Sequence, residues 1–362
     1  MIAYITEQGC VISREGERLL IKKGATVLHT LHMFKLDQLV LCGNVTLTPP
    51  AMFYLLAEGV DTVFMTLAGR YRGRLQPPHS KNITLRCEQF RQLSDPQVAL
   101  RVAQKIVAGK IANLRTSLLR LNRSREGLDL EDQVLSLKNL AERSGEAMDL
   151  DSLRGLEGRS AVLYFQGFGR GFLAEGVTFT KRVRRPPTDP VNALLSLGYT
   201  LLFNSVMAAV SMVGFDPYLG ALHSVEYGRP SLPLDLMEEW RPVIVDALVL
   251  SVFNTRVITL QDFIVQPVAR EQLESDADGR DDDWDEAAAE GEEKVRPALP
   301  VRLTDAGFKK YLAQFERKMA DKVRYHLTGQ QLSYRDCIRE QVRHFARVIR
   351  AEDAEYQPML WR

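Results

Sequence analysis

Short apolar runs separated by glycine and polar turn residues fill roughly the first 85 residues of the chain. This punctuation is typical of β-strands. A short helix is expected to interrupt them from Pro49 to Glu58, because Thr48 can cap it and proline is favoured at the first helical position. The predicted strands are Met1–Thr6, Cys10–Ser13, Arg18–Ile21, Val27–Leu31, Gln38–Cys42 and Thr62–Thr66.

The pattern becomes helical after Pro77-Pro78. The longest predicted helix opens at Pro96, behind Ser94 or Asp95 as cap, and runs to about Asn122 with an apolar face. Its opposite face carries Arg101, Lys105, Arg115, Arg120 and Arg123, either as a solvated surface or as a track for phosphate groups. Further helices are predicted at about Leu130–Arg143, Leu153–Phe165, Val191–Val213, Leu234–Leu250, Thr304–Tyr325 and Ser333–Ala351. Asp189, directly before Pro190, is the predicted cap of the third of these.

The segment from Val191 to Phe215 carries no charged residue and is long enough to span a membrane. Polar residues nevertheless recur in it every four positions, at Asn192, Ser196, Thr200 and Asn204. That spacing places them on one helical face. We therefore predict a buried helix in a soluble protein, with a membrane span as the alternative.

These patterns predict an α+β fold class. A small N-terminal β-rich domain, residues 1–85, precedes a larger all-α domain, residues 86–362. Four cysteines without a CxxC pair indicate neither a disulfide framework nor a zinc cluster, and they fit a reducing compartment. The first residues lack the basic and apolar regions of a secretory signal, so the expected location is cytoplasmic.

Charge is unevenly distributed along the chain. The 47 basic and 46 acidic residues leave a net charge of +1, which excludes the strongly basic average of a histone-like protein. The segment from Arg270 to Lys294 holds 12 acidic and 3 basic residues, a balance of −9, so the remainder carries +10. Residues 270–299 are predicted to form a disordered acidic insertion. The rest of the chain is basic enough to attract a polyanion.

Three places in the α domain hold candidate chemistry. Glu157 lies near a predicted helix start, where a carboxylate can also serve the helix dipole. His223 follows the loop that begins at Asp216, and a lone histidine is more often a packed or surface residue than a ligand. Asp235 and Glu238 are three apart and share a helix face, which could equally be an exposed acidic side.

Taken together, these carboxylates and the imidazole form an oxygen-rich donor set. Such a set suits Mg²⁺ or Mn²⁺, with the imidazole favouring Mn²⁺. A metal of this kind polarises a phosphoryl oxygen and neutralises charge during in-line displacement. Beside a basic surface, the implied chemistry is cleavage or transfer of a phosphodiester.

The densest basic run lies at positions 181–185, between Glu157 and His223 in the sequence. It is either a DNA clamp or a simple solvated loop. The last predicted helix adds a second basic stripe, with Arg335, Arg339, Arg343, Arg347 and Arg350 at spacings of four and three. The predicted DNA contacts are Arg170, Lys181, Arg182, Arg184, Arg185, Arg229 and Arg241.

Several segments form a combined pattern in fixed order. They are Glu157-Gly158 with Ala161 and Tyr164-Phe165, Arg185-Pro186 through Tyr199, Gly214 through His223, Arg229, Ser231-Leu232, Asp235 through Glu238, Arg241-Pro242, and Phe315 through Met319. In these segments the chain resembles the CRISPR-associated integrases, the endonucleases that insert new spacers into CRISPR arrays. The resemblance extends over nearly the whole chain, and the acidic insertion departs from it.

The resemblance implies an N-terminal β domain that dimerises and a helical catalytic domain with one divalent metal, Mg²⁺ or Mn²⁺. Glu157, His223 and Glu238 would be the metal ligands, and Asp235 a nearby acidic contributor to the catalytic site. The implied partners are DNA, as a prespacer duplex and a CRISPR repeat, a second copy of the chain, and a small ferredoxin-like companion protein. No membrane is implied.

The implied reaction is attack by the 3′-hydroxyl of a captured DNA fragment on a phosphodiester at the repeat boundary, without a covalent protein nucleophile. Two other functions remain open at this point. A catalytically silent DNA-binding scaffold would have no need of the acidic and histidine set. A hydrolase of small phosphoesters would have no need of the basic stripes.

Overall fold

The computed structural model describes residues 1–67, 69, 71–75, 82–183, 187–223, 226–265 and 300–361. The chain divides into two compact units, Met1–Lys81 and Asn82–Arg362. The acidic insertion predicted at residues 270–299 lies outside the described residues, as do Arg184 and Arg185.

The N-terminal unit contains two four-stranded sheets and one helix. Its strands are β1 (Ile2–Ile5), β2 (Cys10–Glu15), β3 (Arg18–Lys23), β4 (Thr26–His32), β5 (Gln38–Cys42), β6 (Val45–Leu47), β7 (Asp61–Met65) and β8 (Tyr71–Leu75), and its helix is α1 (Pro49–Ala57). One sheet has the order β1-β5-β7-β8, with the first three strands parallel. The other has the order β4-β3-β2-β6. The β-rich N-terminal region is therefore confirmed.

Apolar residues of both sheets and α1 form one core in this unit. Ile12, Leu19 and Leu39 are fully buried within it, and β5 is buried along its whole length. Sequence patterning missed β6, which has only three residues, and β8, whose sequence YRGRL has no apolar run. Tertiary pairing supports β8, where Arg74 forms an ion pair of 2.6 Å with Asp61 on β7.

The C-terminal unit is mainly helical. Its α-helices are α2 (Ile83–Leu93), α3 (Pro96–Ser124), α4 (Glu131–Ser144), α5 (Leu150–Gly169), α6 (Pro190–Val213), α7 (Ser231–Met237), α8 (Ala247–Asn254), α9 (Asp305–Ala320) and α10 (Tyr334–Ile349). Asp95 and Asp189 cap α3 and α6 with hydrogen bonds of 2.8 Å, as their sequence positions before proline predicted. The helix α3 packs against α4 and α5.

The prediction of an all-α second domain is wrong in detail. Short strands β9 (Phe263–Val265) and β10 (Val301–Leu303) pair antiparallel, and so do β11 (Lys322–Arg324) and β12 (Gln331–Ser333). The helix expected to reach Tyr325 therefore ends at Ala320. The helix α2 was not predicted.

The helix predicted over Leu234–Leu250 is also wrong, because it is interrupted. The chain forms α7, then a π-helical turn over Arg241–Asp246, then α8. Pro242 accounts for the interruption, since proline lacks the amide hydrogen of a regular helical bond and its ring clashes with the preceding turn. The break lies directly after Glu238, so it shapes the region of the predicted site.

The uncharged helix α6 is the core helix of this unit. Within the described residues it is the one helix long and apolar enough to cross a membrane, and 72% of its most apolar window is buried inside the fold. Its polar face forms hydrogen bonds within the protein, because Asn192 and Ser196 both accept hydrogen bonds from Arg182. The prediction of a buried helix is confirmed.

Candidate functional site

Glu157 lies in the middle of α5 rather than at its start. Asp149 caps this helix by accepting a 2.7 Å hydrogen bond from the amide of Ser152. The capping interpretation of Glu157 is therefore wrong, because a dipole effect is confined to the first turn. The Glu157 side chain points inward and is about 10% exposed.

A lysine that sequence reasoning missed holds Glu157. Lys110, on α3, forms buried ion pairs with Glu157 Oε1 and, at 2.5 Å, with Glu238 Oε2. Its spacing from Ile106 and Leu114 places it on the apolar face of α3, where a charge needs a partner. This position on an apolar helix face was the sequence signal that could have identified Lys110 as a buried, paired lysine. The two carboxylates thus converge on one cation.

Charges balance within this cluster. Arg241 Nε lies 3.3 Å from Glu238 Oε1, so two cationic and two anionic side chains meet in the protein interior. Burial lowers the pKa of Lys110, but the charges of Glu157 and Glu238 raise it by more, and the resulting pKa lies above its ordinary value. Lys110 is therefore a cation in this structure.

Asp235 is bonded to the loop that carries His223. It is fully buried, and its oxygens accept hydrogen bonds from the amides of Ala221, Leu222 and His223 at 2.5, 3.0 and 3.0 Å. Its Oδ1 also lies 2.6 Å from His223 Nδ1. Asp235 therefore orients the histidine and its loop. The interpretation of Asp235 and Glu238 as an exposed acidic face is wrong, because both are buried.

Close approach to Asp235 requires a glycine in the loop. A Cβ on Gly220 would lie 2.4 Å from Asp235 Oδ2 and 2.8 Å from the backbone of Ser231. With Asp235 bonded to Nδ1, the neutral histidine carries its proton on Nδ1 and presents the lone pair of Nε2. This is the arrangement in which an imidazole can bind a metal.

Two further residues tie the His223 loop to the helices. Arg154, one turn before Glu157 on α5, donates hydrogen bonds of 3.0 and 2.8 Å to the carbonyl of Leu222. Gln89 on α2 donates to the carbonyls of Asp216 and Leu219, each at 2.8 Å. Arg154 therefore joins the segments that carry Glu157 and His223, which sequence spacing could not indicate.

The donor set fits a divalent cation in part. Glu157 and Glu238 supply hard oxygens that converge on one cationic position, which suits Mg²⁺ or Mn²⁺. No group of three or more potential ligands forms within the described part of the chain, so His223 does not join the carboxylate pair there. The structure thus unites two of the three predicted ligands and holds the third with Asp235.

The predicted DNA-contact arginines mostly make internal contacts. Arg170 is exposed, but it donates to the carbonyls of Leu128 and Asp129 at 3.0 and 3.3 Å. Arg229 is 6% exposed and pairs with Glu226 at 3.1 Å. Arg182 and Arg241 are engaged with α6 and Glu238 as described above. Lys181 is exposed.

The predicted basic stripes are also partly neutralised. On α3, Lys105 pairs with Glu355 at 2.8 Å and Arg120 stacks on Trp361 at 4.1 Å. Every arginine of the stripe on α10 has a carboxylate partner: Arg335 with Glu316, Arg339 with Asp336, Arg343 with Glu340, Arg347 with Asp353 and Arg350 with Glu352. The α10 stripe is therefore a mixed-charge surface.

Comparison with known proteins places these features in a family context. A family model described as CRISPR associated protein Cas1 matches residues 3–279. A relative from Thermus thermophilus, named CRISPR-associated endonuclease Cas1 3, is 35% identical over 359 residues, which cover 99% of this chain and 96% of the relative.

Two solved structures share the fold. A casposase bound to an integration product has a TM-score of 0.81 at 21% identity, covering 100% of this chain and 94% of that one. A Cas6-RT-Cas1–Cas2 complex contains a chain with a TM-score of 0.79 at 24% identity, covering 100% of this chain and 36% of that one.

Proposed function

The chain belongs to the Cas1 family of CRISPR-associated proteins, and we propose on that premise that it is a divalent-metal-dependent DNA endonuclease and integrase. It would insert short DNA fragments into a CRISPR array by attack of a 3′-hydroxyl on a phosphodiester. The observation that carries the proposal is the buried convergence of Glu157 and Glu238 on one cationic position. Arg154 links that position to the His223 loop.

Glu157, His223 and Glu238 would hold the metal, which we expect to be Mg²⁺ or Mn²⁺. When bound, such an ion polarises a phosphoryl oxygen and neutralises the charge that develops on it. Asp235 would act as a positioning residue, because its carboxylate, within the described residues, bonds to the His223 loop and ring. His223 would then enter the site with Nε2 available as a ligand.

DNA would be bound as a prespacer duplex and a CRISPR repeat. The support is the charge of +10 outside the acidic segment, together with the exposed Lys181 next to Arg184 and Arg185. Because the engaged arginines of α10 contribute little net charge, we assign the DNA surface to the 181–185 run rather than to α10.

Two protein partners complete the proposal. A small ferredoxin-like companion is supported by the solved complex that contains Cas1 and Cas2. A homodimer formed through the N-terminal unit is supported by three exposed apolar side chains, Val27, Phe34 and Phe53, and by β4 at an end of its sheet. Size measurement in solution tests it: Phe34→Glu should shift the dimer toward monomer.

The catalytic proposal is tested with purified protein, its companion, Mn²⁺ or Mg²⁺, a short duplex with 3′-hydroxyls and a supercoiled plasmid carrying a repeat. Glu157→Gln and Glu238→Gln should remove joined products while DNA binding persists. The matched control is Glu142→Gln, because Glu142 is 64% exposed and, in the part of the chain that the structure describes, forms its ion pair with Lys138 on the surface of α4, at 3.7 Å. Joining at the normal rate in both site variants would refute the assignment.

A catalytically silent DNA-binding scaffold is the second candidate. The observation that favours it is the Lys110 ammonium between the two carboxylates, which compensates their charge without a metal. The same assay separates the two functions. A scaffold would yield no joined product with the unmodified chain under any divalent ion, yet would still bind the duplex.

A further inference from the structure

Lys110 occupies an unusual position for a lysine. Only 7% of the residue is exposed, and its ammonium lies between two carboxylates that come from α5 and from the end of α7. Burying an ammonium is costly unless it is paired, so this position is set by Glu157 and Glu238. The lysine therefore stands where an ion shared by the two carboxylates would have to bind.

A divalent ion and the ammonium cannot occupy that point together. Mg²⁺ binds carboxylate oxygens at about 2.0–2.1 Å, whereas the ammonium already lies 2.5 Å from Glu238 Oε2 and in contact with Glu157. Charge at the carboxylate pair argues in the same direction. Lys110 and Arg241 already balance Glu157 and Glu238, so a divalent ion added there would leave a local excess of +2, which withdrawal of Lys110 reduces.

The structure offers the ammonium another acceptor. A cavity beside the charge cluster is lined by charged and polar side chains, namely Lys110, Glu157, Arg182, Tyr199, Arg241 and Asp246. Asp246 is fully buried and accepts a 2.6 Å hydrogen bond from Tyr199 on Oδ1. Its Oδ2 is also buried and is without a hydrogen bond of regular geometry within the described residues. Burial raises the pKa of this carboxyl, while the Tyr164 hydroxyl and the charges of Arg241 and Arg182 lower it. The lysine stem is long and flexible enough to change partners.

We propose that Lys110 is a resident cation that occupies the divalent-metal position between Glu157 and Glu238 and moves to Asp246 when the metal enters. This inference rests on the metal site of the proposed function. Lys110 is then a positioning residue whose exchange sets the affinity for the ion. Asp246 favours metal binding from a distance, because it stabilises the lysine in its displaced position.

Direct measurement of Mn²⁺ binding tests the exchange without reference to activity. Electron paramagnetic resonance of free Mn²⁺ gives the Kd for the full chain and its variants at one pH and ionic strength. Lys110→Met keeps the length of the stem and removes the competing charge, so the Kd should fall by about 10- to 100-fold. Lys138→Met, at an exposed lysine on α4, is the matched control and should leave the Kd unchanged.

Asp246→Asn tests the second half of the exchange. It should raise the Kd by about tenfold when Lys110 is present. In the Lys110→Met background it should have little effect, since no ammonium then needs the acceptor. This non-additivity in a double-mutant cycle is the signature of direct coupling. A purely structural role of Asp246 would weaken binding equally in both backgrounds and would overturn the exchange.

The outcomes distinguish this inference from the proposed function. If the unmodified chain binds Mn²⁺ and joins DNA but Lys110→Met leaves the Kd unchanged or higher, the exchange is wrong and the function stands. If the unmodified chain neither binds Mn²⁺ nor joins DNA, the metal site itself is refuted. Thermal unfolding in the presence of a chelator checks that Lys110→Met folds. If Lys110→Met does not fold, Lys110→Gln takes its place and should lower the Kd for Mn²⁺, and Asp246→Asn should raise it. The absence of both changes would overturn the exchange.

Discussion

Asn113 is predicted to be one of the most sensitive uncharged positions in the protein. It is fully buried on α3, one turn beyond Lys110. Its Nδ2 donates to the carbonyls of Glu239 and Met359, each at 2.8 Å, and its Oδ1 accepts from the amide of Trp361 at 2.8 Å. One side chain therefore connects α3 to the segment after Glu238 and to the C-terminal residues.

The cost of Asn113→Ala follows from these three bonds. The substitution leaves two buried carbonyls and one amide without their partner, and an unsatisfied buried group costs about 1–3 kcal/mol. With partial relaxation, we expect a loss of about 3–6 kcal/mol in the free energy of unfolding. For a chain of this size, that lowers Tm by roughly 6–20 °C. Because the Glu239 carbonyl adjoins Glu238, joining of DNA should fall as well.

Asn122→Ala supplies the control for this measurement. Asn122 lies on the same helix nearer the surface, where its Nδ2 donates to Glu131 Oε1 at 2.8 Å and its Oδ1 accepts from the amide of Leu130 at 3.3 Å. Its replacement should cost about 1–2 kcal/mol. Thermal and urea unfolding of both variants give the comparison. A Tm for Asn113→Ala within about 2 °C of that for Asn122→Ala would refute the reasoning that buried connections to the C-terminal residues hold the site.

The remaining predictions concern two glycines and one carboxyl. Gly109→Ala should lower the free energy of unfolding by about 1–3 kcal/mol, because its Cβ would lie 2.3 Å from Pro358 Cβ. Gly155→Ala, in open space on α5, should raise it by about 0.5–1 kcal/mol, and equal effects of both changes would contradict the packing argument. Burial raises the pKa of Asp246 to about 6, against the lowering effect of the Tyr199 hydroxyl. The folded state therefore holds a proton that the unfolded state has released, and stability should fall by about 3 kcal/mol as pH rises from roughly 4 to 6. Urea unfolding across that range checks it: the slope should become shallower in Asp246→Asn, with a remainder from Glu239, whose pKa burial raises to about 8, and an unchanged slope there would assign it to another group.

Much of the fold could be predicted from local sequence. The N-terminal strands, the caps at Asp95 and Asp189, and the buried helix α6 follow from patterns within a few residues of one another. Hydrophobic period and capping act over one or two turns, so the sequence of a segment carries the information. The strand β8 was not predicted because its pairing partner lies in another segment. The helix break was indicated locally by Pro242, but the length of the π-helical turn that follows depends on packing.

The residue types of the candidate site could be predicted, but their partners could not. Sequence indicated Glu157, His223 and Glu238 as acids and a base of one site, and the resemblance to a known family assigned them as ligands. Tertiary structure decided that Lys110 lies between the carboxylates and that Asp235 serves the His223 loop. The physical reason is that a buried charge is stable only with a specific partner, and chain folding brings that partner from a distant helix.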